Sequence, residues 1–288
     1  MKNDKKLSIG GKIFTSLFLI LMIFSSLHAK TITFSFTSTT LKEDLKIYLQ
    51  WQKYLNDNSK FKINIKFART YAEVISNIND AKSDIAYVCS STYTLLSDKK
   101  SARLLAIPII KGDDQYYSDI IALKNTKYKS LLDFKDKIFA FTDPDSTSGS
   151  IAPTYKILKN GYEISNFFQR LIYTYDHGES IKAVIDGFVD GASIDSLVFT
   201  QYIKKHPEDT KKLRVVEKLG PYTISPIVAR SNLSQKEFLT MQKLFLNMDK
   251  TKIGKEILKR LSIDKFEKPK NQTYDKIYVM LKLLKESK

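Results

Sequence analysis

The chain has 288 residues, a formal net charge of +16, one cysteine and three histidines. A single cysteine excludes an internal disulfide, the scarcity of histidine and cysteine argues against a metal-binding site, and the length favours two lobes over one core. A basic surface attracts anionic partners, but Lys and Arg are scattered singly or in pairs without a reading motif, so no nucleic-acid partner is expected.

Residues 1–29 read as a signal peptide: Lys2, Lys5, Lys6 and Lys12 precede an apolar run, Ile13 to Leu27, and Ser26-Leu27-His28-Ala29 offers a small-residue cleavage site. That run is shorter than the roughly 18 to 20 residues that span a bilayer, so the expected destination is the periplasm and not an anchored state. TITFSFTS (31–38) alternates Ile32, Phe34 and Phe36 against hydroxyls, the period of a half-buried strand. The stretch 41–57 then places Leu41, Leu45, Tyr48, Leu49 and Leu55 at helical spacing, FKINIKFA (61–68) alternates again, and AEVISNINDA and DIAYVC read as helix and strand. Cys89 ends that apolar strand and reads as a small core residue.

After Pro108 the extended stretch 113–125 leads into a second series, in which 129–142 reads as helix then strand and 151–160 as a helix. RLIYTYD, ESIKAVIDG and GASIDSL follow as strand, helix and strand, and the series ends near Lys218. YTISPIVARSNLS (222–234) is extended, and the remainder is helical, with Ser234 as a helix cap. The expected architecture is α/β with two lobes, each a mixed, mostly parallel sheet flanked by helices. Lobe 1 comprises 30–117 plus 226–288, lobe 2 comprises 118–225, and hinge crossovers lie near 116–124 and 222–230.

The stretch DPDSTSGS (143–150) lies where a strand meets a helix. At such a junction the helix directs free N–H groups and its positive end into the crevice, so an anion is favoured there. Ser146, Thr147 and Ser148 offer hydroxyls, and Gly149 permits close backbone approach, although a capped turn accounts for these residue types equally well. Tyr71, Ser90 and Ser91, Tyr116, His177 and Asp195 stand at the ends or starts of other extended segments, and in an α/β sheet such positions converge. His177 would add positive charge if protonated, and Asp195 would accept from an acid or amine on a ligand.

The segments YYSDIIALKNTKYKSLLDFKDKIFAFTDPDSTSGSIAPTYKIL and DHGESIKAVIDGFVDGASIDSL, with TYAEVISNINDAKSDIAYV upstream and ILKRLSIDKFEKPKNQTYDKI downstream, resemble the periplasmic phosphate, phosphite and phosphonate-binding proteins of ABC importers. The resemblance implies a type 2 periplasmic-binding-protein fold that closes over a small oxyanion. It implies that Ser146, Thr147, Ser148 and Gly149 cradle the head group, with Tyr71, Tyr116 and His177 beside them and Asp195 lining the cleft. It further implies no cofactor, no metal, no catalytic residue, a monomer, and an ABC permease or a membrane sensor protein as the partner. The chain departs from the family pattern at Cys89-Ser90 and at Ser150, and Asp176 brings negative charge beside His177. A serine-dependent hydrolase would need a G-x-S-x-G elbow, and the sequence has none.

Overall fold

The computed structural model describes residues 29–37, 45–270 and 272–287; the expected signal peptide lies almost wholly outside them, as does Leu41. In chain order the strands are β1 (Thr31–Phe36), β2 (Lys62–Phe67), β3 (Ile85–Tyr87), β4 (Ala102–Ile109), β5 (Gln115–Leu123), β6 (Ile138–Phe141), β7 (Arg170–Tyr173), β8 (Gly191–Asp195), β9 (Leu213–Thr223), β10 (Ile227–Arg230) and β11 (Lys265–Glu267). The helices are α1 (Leu45–Asp57), α2 (Tyr71–Asn79), α3 (Ser90–Asp98), α4 (Ala152–Lys159), α5 (Ile164–Phe167), α6 (His177–Ile185), α7 (Ser196–Lys205), α8 (Pro207–Thr210), α9 (Gln235–Leu246), α10 (Lys252–Leu261) and α11 (Asp275–Glu286). A π-helical turn, Thr147–Ile151, precedes α4.

The strands form two sheets, ordered β11-β4-β10-β3-β1-β2 and β7-β6-β8-β5-β9. In the first, β1 pairs in parallel with β2 and β3, in register Phe34↔Ile65 and Phe34↔Ile85, while β10 runs antiparallel between β3 and β4. In the second, β6 pairs in parallel with β7 and β8, and β5 runs antiparallel between β8 and β9. In each sheet, therefore, most strands share one direction, and their C-terminal ends, with the helix N-termini that follow, face a common edge.

The first core is built on aromatic rings. Trp51 of α1 meets Phe34 edge-on at 5.4 Å and Phe245 at 6.1 Å, and stacks on Phe266 at 6.1 Å. Each such pair adds about 0.5 to 1.5 kcal/mol beyond burial. The face of α1 that turns inward is consequently Ile47, Tyr48, Trp51, Tyr54 and Leu55. Leu45 and Leu49, expected on that face, are 59% and 65% exposed, because the indole and tyrosine rings fill the space that these two leucines would otherwise enter.

Further departures concern connections. The stretch 116–124 is not a crossover but nearly coincides with β5, a central strand of the second sheet. The chain passes between sheets at 110–114 and 224–226, where the Ile224 N–H donates to the Asp114 carbonyl at 2.8 Å. Strand β4 carries Pro108 inside it, opposite Phe266 of the short edge strand β11. The tail is also divided: Ile277 and Met280 of α11, with Tyr274, enter the second sheet's core alongside Tyr116, Phe134 and Phe139, so 226–288 does not all belong with the first sheet.

Candidate functional site

Helix N-termini gather between the two sheets. Tyr71 is the first residue of α2, Ser90 of α3, Thr147 of the π turn, His177 of α6, and Asp195 is the N-cap of α7. Each follows a strand, so the peptide dipoles point their positive ends at the space between the lobes. The candidate residues are almost entirely buried: Ser90, Ser91, Ser146 and Thr147 expose 0%, Tyr71 and Tyr116 1%, and His177 2%.

The turn after β6 is held from behind. The Ser148 carbonyl accepts from the hydroxyls of Ser118 on β5 and Ser193 on β8, at 2.7 Å each, which draws the peptide toward the sheet. Ser146 caps the turn by accepting from the Gly149 N–H at 3.0 Å. A Cβ on Gly149 would lie 1.7 Å from Thr142 Oγ1 and 2.8 Å from its Cβ, so only glycine fits here. The sequence pattern gives no sign of Ser118 and Ser193, because the strands that carry them, β5 and β8, are buried along most of their length.

The lobes touch through the same residues. The Tyr71 N–H donates to Asp143 Oδ2 at 3.0 Å and the Ser91 N–H to Thr147 Oγ1 at 2.9 Å, while the Ser91 hydroxyl donates to the Asp145 carbonyl. Asp143 also accepts from the Asp145 N–H at 2.9 Å, and burial raises its carboxyl above the usual range. It stands at the head of DPDSTSGS but acts as an interlobe contact, a role that no local pattern announces. The hydroxyls of Tyr71 and Tyr116 have no hydrogen-bond partner of good geometry, although Ser146 neighbours the first and Ser90 and Thr147 the second. Burial drives both phenols well above their ordinary range, so both remain protonated donors.

The other end of the cleft holds ionisable groups. His177 Nδ1 accepts from the Asp195 N–H at 3.1 Å, which leaves the ring proton on Nε2. Burial lowers the imidazole to about 3, so His177 is a neutral donor and not the positive charge that its residue type suggested. Asp195 Oδ1 caps α7 by accepting from Leu197 and Val198 N–H at 2.7 and 3.3 Å. Burial nonetheless raises its carboxyl to about 7, aided by Asp119, itself raised to about 6. Asp176 turns its carboxylate onto the Gly178 and Glu179 N–H groups of α6, at 2.8 and 3.2 Å, and Ser150 neighbours Tyr173. Cys89, expected as plain core, is buried, but its sulfur lies 3.3 Å from Thr147 Oγ1 across the lobe boundary.

Residues 34–274 match the model of a family described as the ABC transporter, phosphonate, periplasmic substrate-binding protein. The chain is 30% identical over 265 residues to the phosphonates-binding periplasmic protein of Escherichia coli K12, covering 88% of this chain and 78% of that one. It is similar to the binding-protein component of an ABC phosphonate transporter from Pseudomonas aeruginosa, with a TM-score of 0.82, 25% identity, and coverage of 90% of this chain and 88% of the other. It shares its fold with PhnD1 of Prochlorococcus marinus, solved with methylphosphonate, at a TM-score of 0.79 and 20% identity over 89% of this chain and 99% of that one.

Proposed function

We propose, because this chain belongs to the family of periplasmic phosphonate substrate-binding proteins of ABC transporters, that it captures a small phosphorus oxyanion between its lobes and delivers it to an ABC permease. The observation that carries this is the convergence of helix N-termini with two buried tyrosine hydroxyls that lack partners of good geometry among the described residues. Unpaired buried donors cost free energy, and a tetrahedral anion placed among them would satisfy them together. No lysine or arginine belongs to the set, so dipoles and neutral hydroxyls hold the charge, and release does not require breaking a buried ion pair.

The head group sits against Ser146, Thr147, Ser148 and Gly149, with Tyr71, Tyr116 and the Nε2–H of His177 as further donors and Ser90 and Ser91 closing from the first lobe. Asp195, half-protonated near neutral pH, accepts from a protonated oxygen or an amine on the ligand. The protein works as a periplasmic monomer, and the leader at 1–29 takes it there. It is not an enzyme: Ser146 is occupied in capping its own turn and His177 Nδ1 is committed to the Asp195 amide, so no base stands ready to activate a serine.

Thermal shift and calorimetry against phosphate, phosphite, hypophosphite, methyl- and aminoalkylphosphonates, sulfate and short carboxylates test this. A true ligand at 100 times its Kd stabilises by about 2.7 kcal/mol. Ser146→Ala and His177→Ala are expected to weaken a phosphorus ligand about tenfold or more, whereas Lys129→Ala on the exposed surface leaves it alone. Equal effects of all three would remove the assigned site, and silence across the panel would remove the substrate class.

A further inference from the structure

Between β11 of the first sheet and α11, which enters the core of the second, the tail crosses the lobe boundary a third time. There it is fastened to both of the other crossings. Gln272 Nε2 donates to Asp114 Oδ2 at 3.0 Å, and the Asp114 carbonyl in turn accepts from the Ile224 N–H at 2.8 Å. The Tyr274 hydroxyl donates to the Ile224 carbonyl at 3.1 Å, and the Thr223 hydroxyl to the Thr273 carbonyl at 2.6 Å. Thr223 also reaches the cleft, because its carbonyl accepts from the Ser90 hydroxyl at 2.6 Å. The ring of Tyr274 meets that of Tyr93 edge-on at 4.8 Å. Ser90 begins α3 and Tyr93 lies three residues further on, so this helix is tied to the tail twice, once through Thr223 and once ring against ring.

We propose that residues 272–274 act as a third hinge strand, in which Thr223 and Tyr274 are positioning residues that hold the lobes together and thereby slow the ligand's escape. The inference rests on the binding function proposed above and adds what sets the rate of release. A hinge of two strands bends at a few residues whose dihedrals absorb the motion, and nothing in such strands favours the closed arrangement. The tail adds ties between parts that move separately. Helix α11 goes with the second sheet, whose core takes up Ile277 and Met280, whereas Ser90 and Tyr93 go with the first. Opening the cleft therefore draws the Tyr93 ring from Tyr274 and Ser90 from Thr223, so the closed arrangement is favoured before any anion arrives. Loosening these ties lowers the closed fraction, and the apparent affinity falls with it.

The test uses the full chain with Thr223→Val, which keeps the carbonyl that Ser90 reaches, and Tyr274→Phe, which keeps the ring that Tyr93 meets. Ile257→Val, buried in the first core, serves as a variant that loses stability without touching the ties. Stopped-flow fluorescence gives the association and release rates of methylphosphonate and phosphite, small-angle scattering the radius of gyration with and without ligand, and urea unfolding the stability. Each tail variant is expected to release methylphosphonate about fivefold faster at an unchanged association rate, and the double variant at least about tenfold faster. Their radii of gyration rise without ligand and match wild type at saturation, whereas Ile257→Val moves neither rate nor radius. Tail variants that keep the wild-type radius and release rate, whatever their stability, overturn the proposal and leave the binding function standing. If the wild-type chain binds neither anion, the binding function falls first, and the ligand-free radii alone decide the rest: variants as compact as wild type dispose of the third hinge strand.

Discussion

The two ends of the cleft are both buried and both stand at helix N-termini, yet they are built from opposite materials. At the Ser146–Gly149 end the groups offered by residues 146–149 are neutral hydroxyls and amides, and the hydroxyls of Ser118 and Ser193 with the Thr142 N–H fix their position. At the His177–Asp195 end the groups are ionisable, and burial, with Asp119 beside Asp195, suppresses their charge, imidazole downward and carboxyl upward. The first end is held by many hydrogen bonds, and its one titrating group, Asp143, serves the contact between the lobes; the second has a state that protons set. The difference teaches that the overall charge of +16 is not what binds: it lies outside the cleft, where it speeds an anion's arrival, while dipoles inside decide whether the anion stays.

Gly149→Ala attacks the first end most directly. The new methyl would meet Thr142 Oγ1 at 1.7 Å with Ser146 Oγ at 2.9 Å, so the turn must move off the sheet. Overpacking of this kind costs about 3 kcal/mol of stability. Because displacement also turns the amides away from the anion, methylphosphonate binding is expected to fall about 1,000-fold or more, measured by calorimetry. An Ala variant that binds normally would show that the turn is not the fixed element of the pair.

Asp195→Asn attacks the titrating end while keeping an oxygen that caps α7. The wild-type carboxyl is raised to about 7 in the folded chain from about 4 unfolded, so the folded state holds the proton more tightly. Its contribution to stability is complete below the unfolded value and is lost as pH rises to the folded one. His177 works the other way, because its lowered folded value makes stability rise with pH up to its ordinary value near 6.5. The variant removes only the falling part. Relative to wild type, Asp195→Asn should therefore gain about 2 kcal/mol between pH 5 and pH 7, read from urea unfolding at each pH. Parallel profiles would mean that Asp195 does not titrate there and that the ends are alike.

Much of this was legible in the sequence because strands and helices alternate so plainly. A polar residue just after an apolar strand and just before an amphipathic helix has one place to go in an α/β sheet, and Tyr71, Ser90, Ser146 and His177 all go there. What escaped depends on contacts far apart in the chain. Nothing near Asp143 says that the Tyr71 amide, 72 residues away, will sit on its carboxylate. Nothing in IAYVC says that its cysteine faces Thr147 rather than the core. The periodicity of α1 was visible, but which stripe faces inward was decided by Trp51 and the rings of Phe34, Phe245 and Phe266, a packing choice that leucine spacing does not record.

Tyr116→Phe sharpens the comparison with the smallest perturbation, because it removes one oxygen and nothing else. That hydroxyl belongs to the neutral end, is 1% exposed and has no partner of good geometry among the described residues, only Ser90 and Thr147 nearby, so the folded chain loses at most weak contacts when it goes. Removing an unsatisfied buried donor relieves its desolvation penalty, and stability should hold or rise by about 1 kcal/mol in urea unfolding. In the proposed site the same oxygen donates to the anion, so methylphosphonate should bind about tenfold more weakly, roughly 1.4 kcal/mol. Opposite signs in the two measurements are what a group retained for the ligand produces, since a group retained for the fold would lose both together. If stability falls while affinity holds, the Tyr116 hydroxyl serves the core, and the neutral end is narrower by one donor than the geometry indicates.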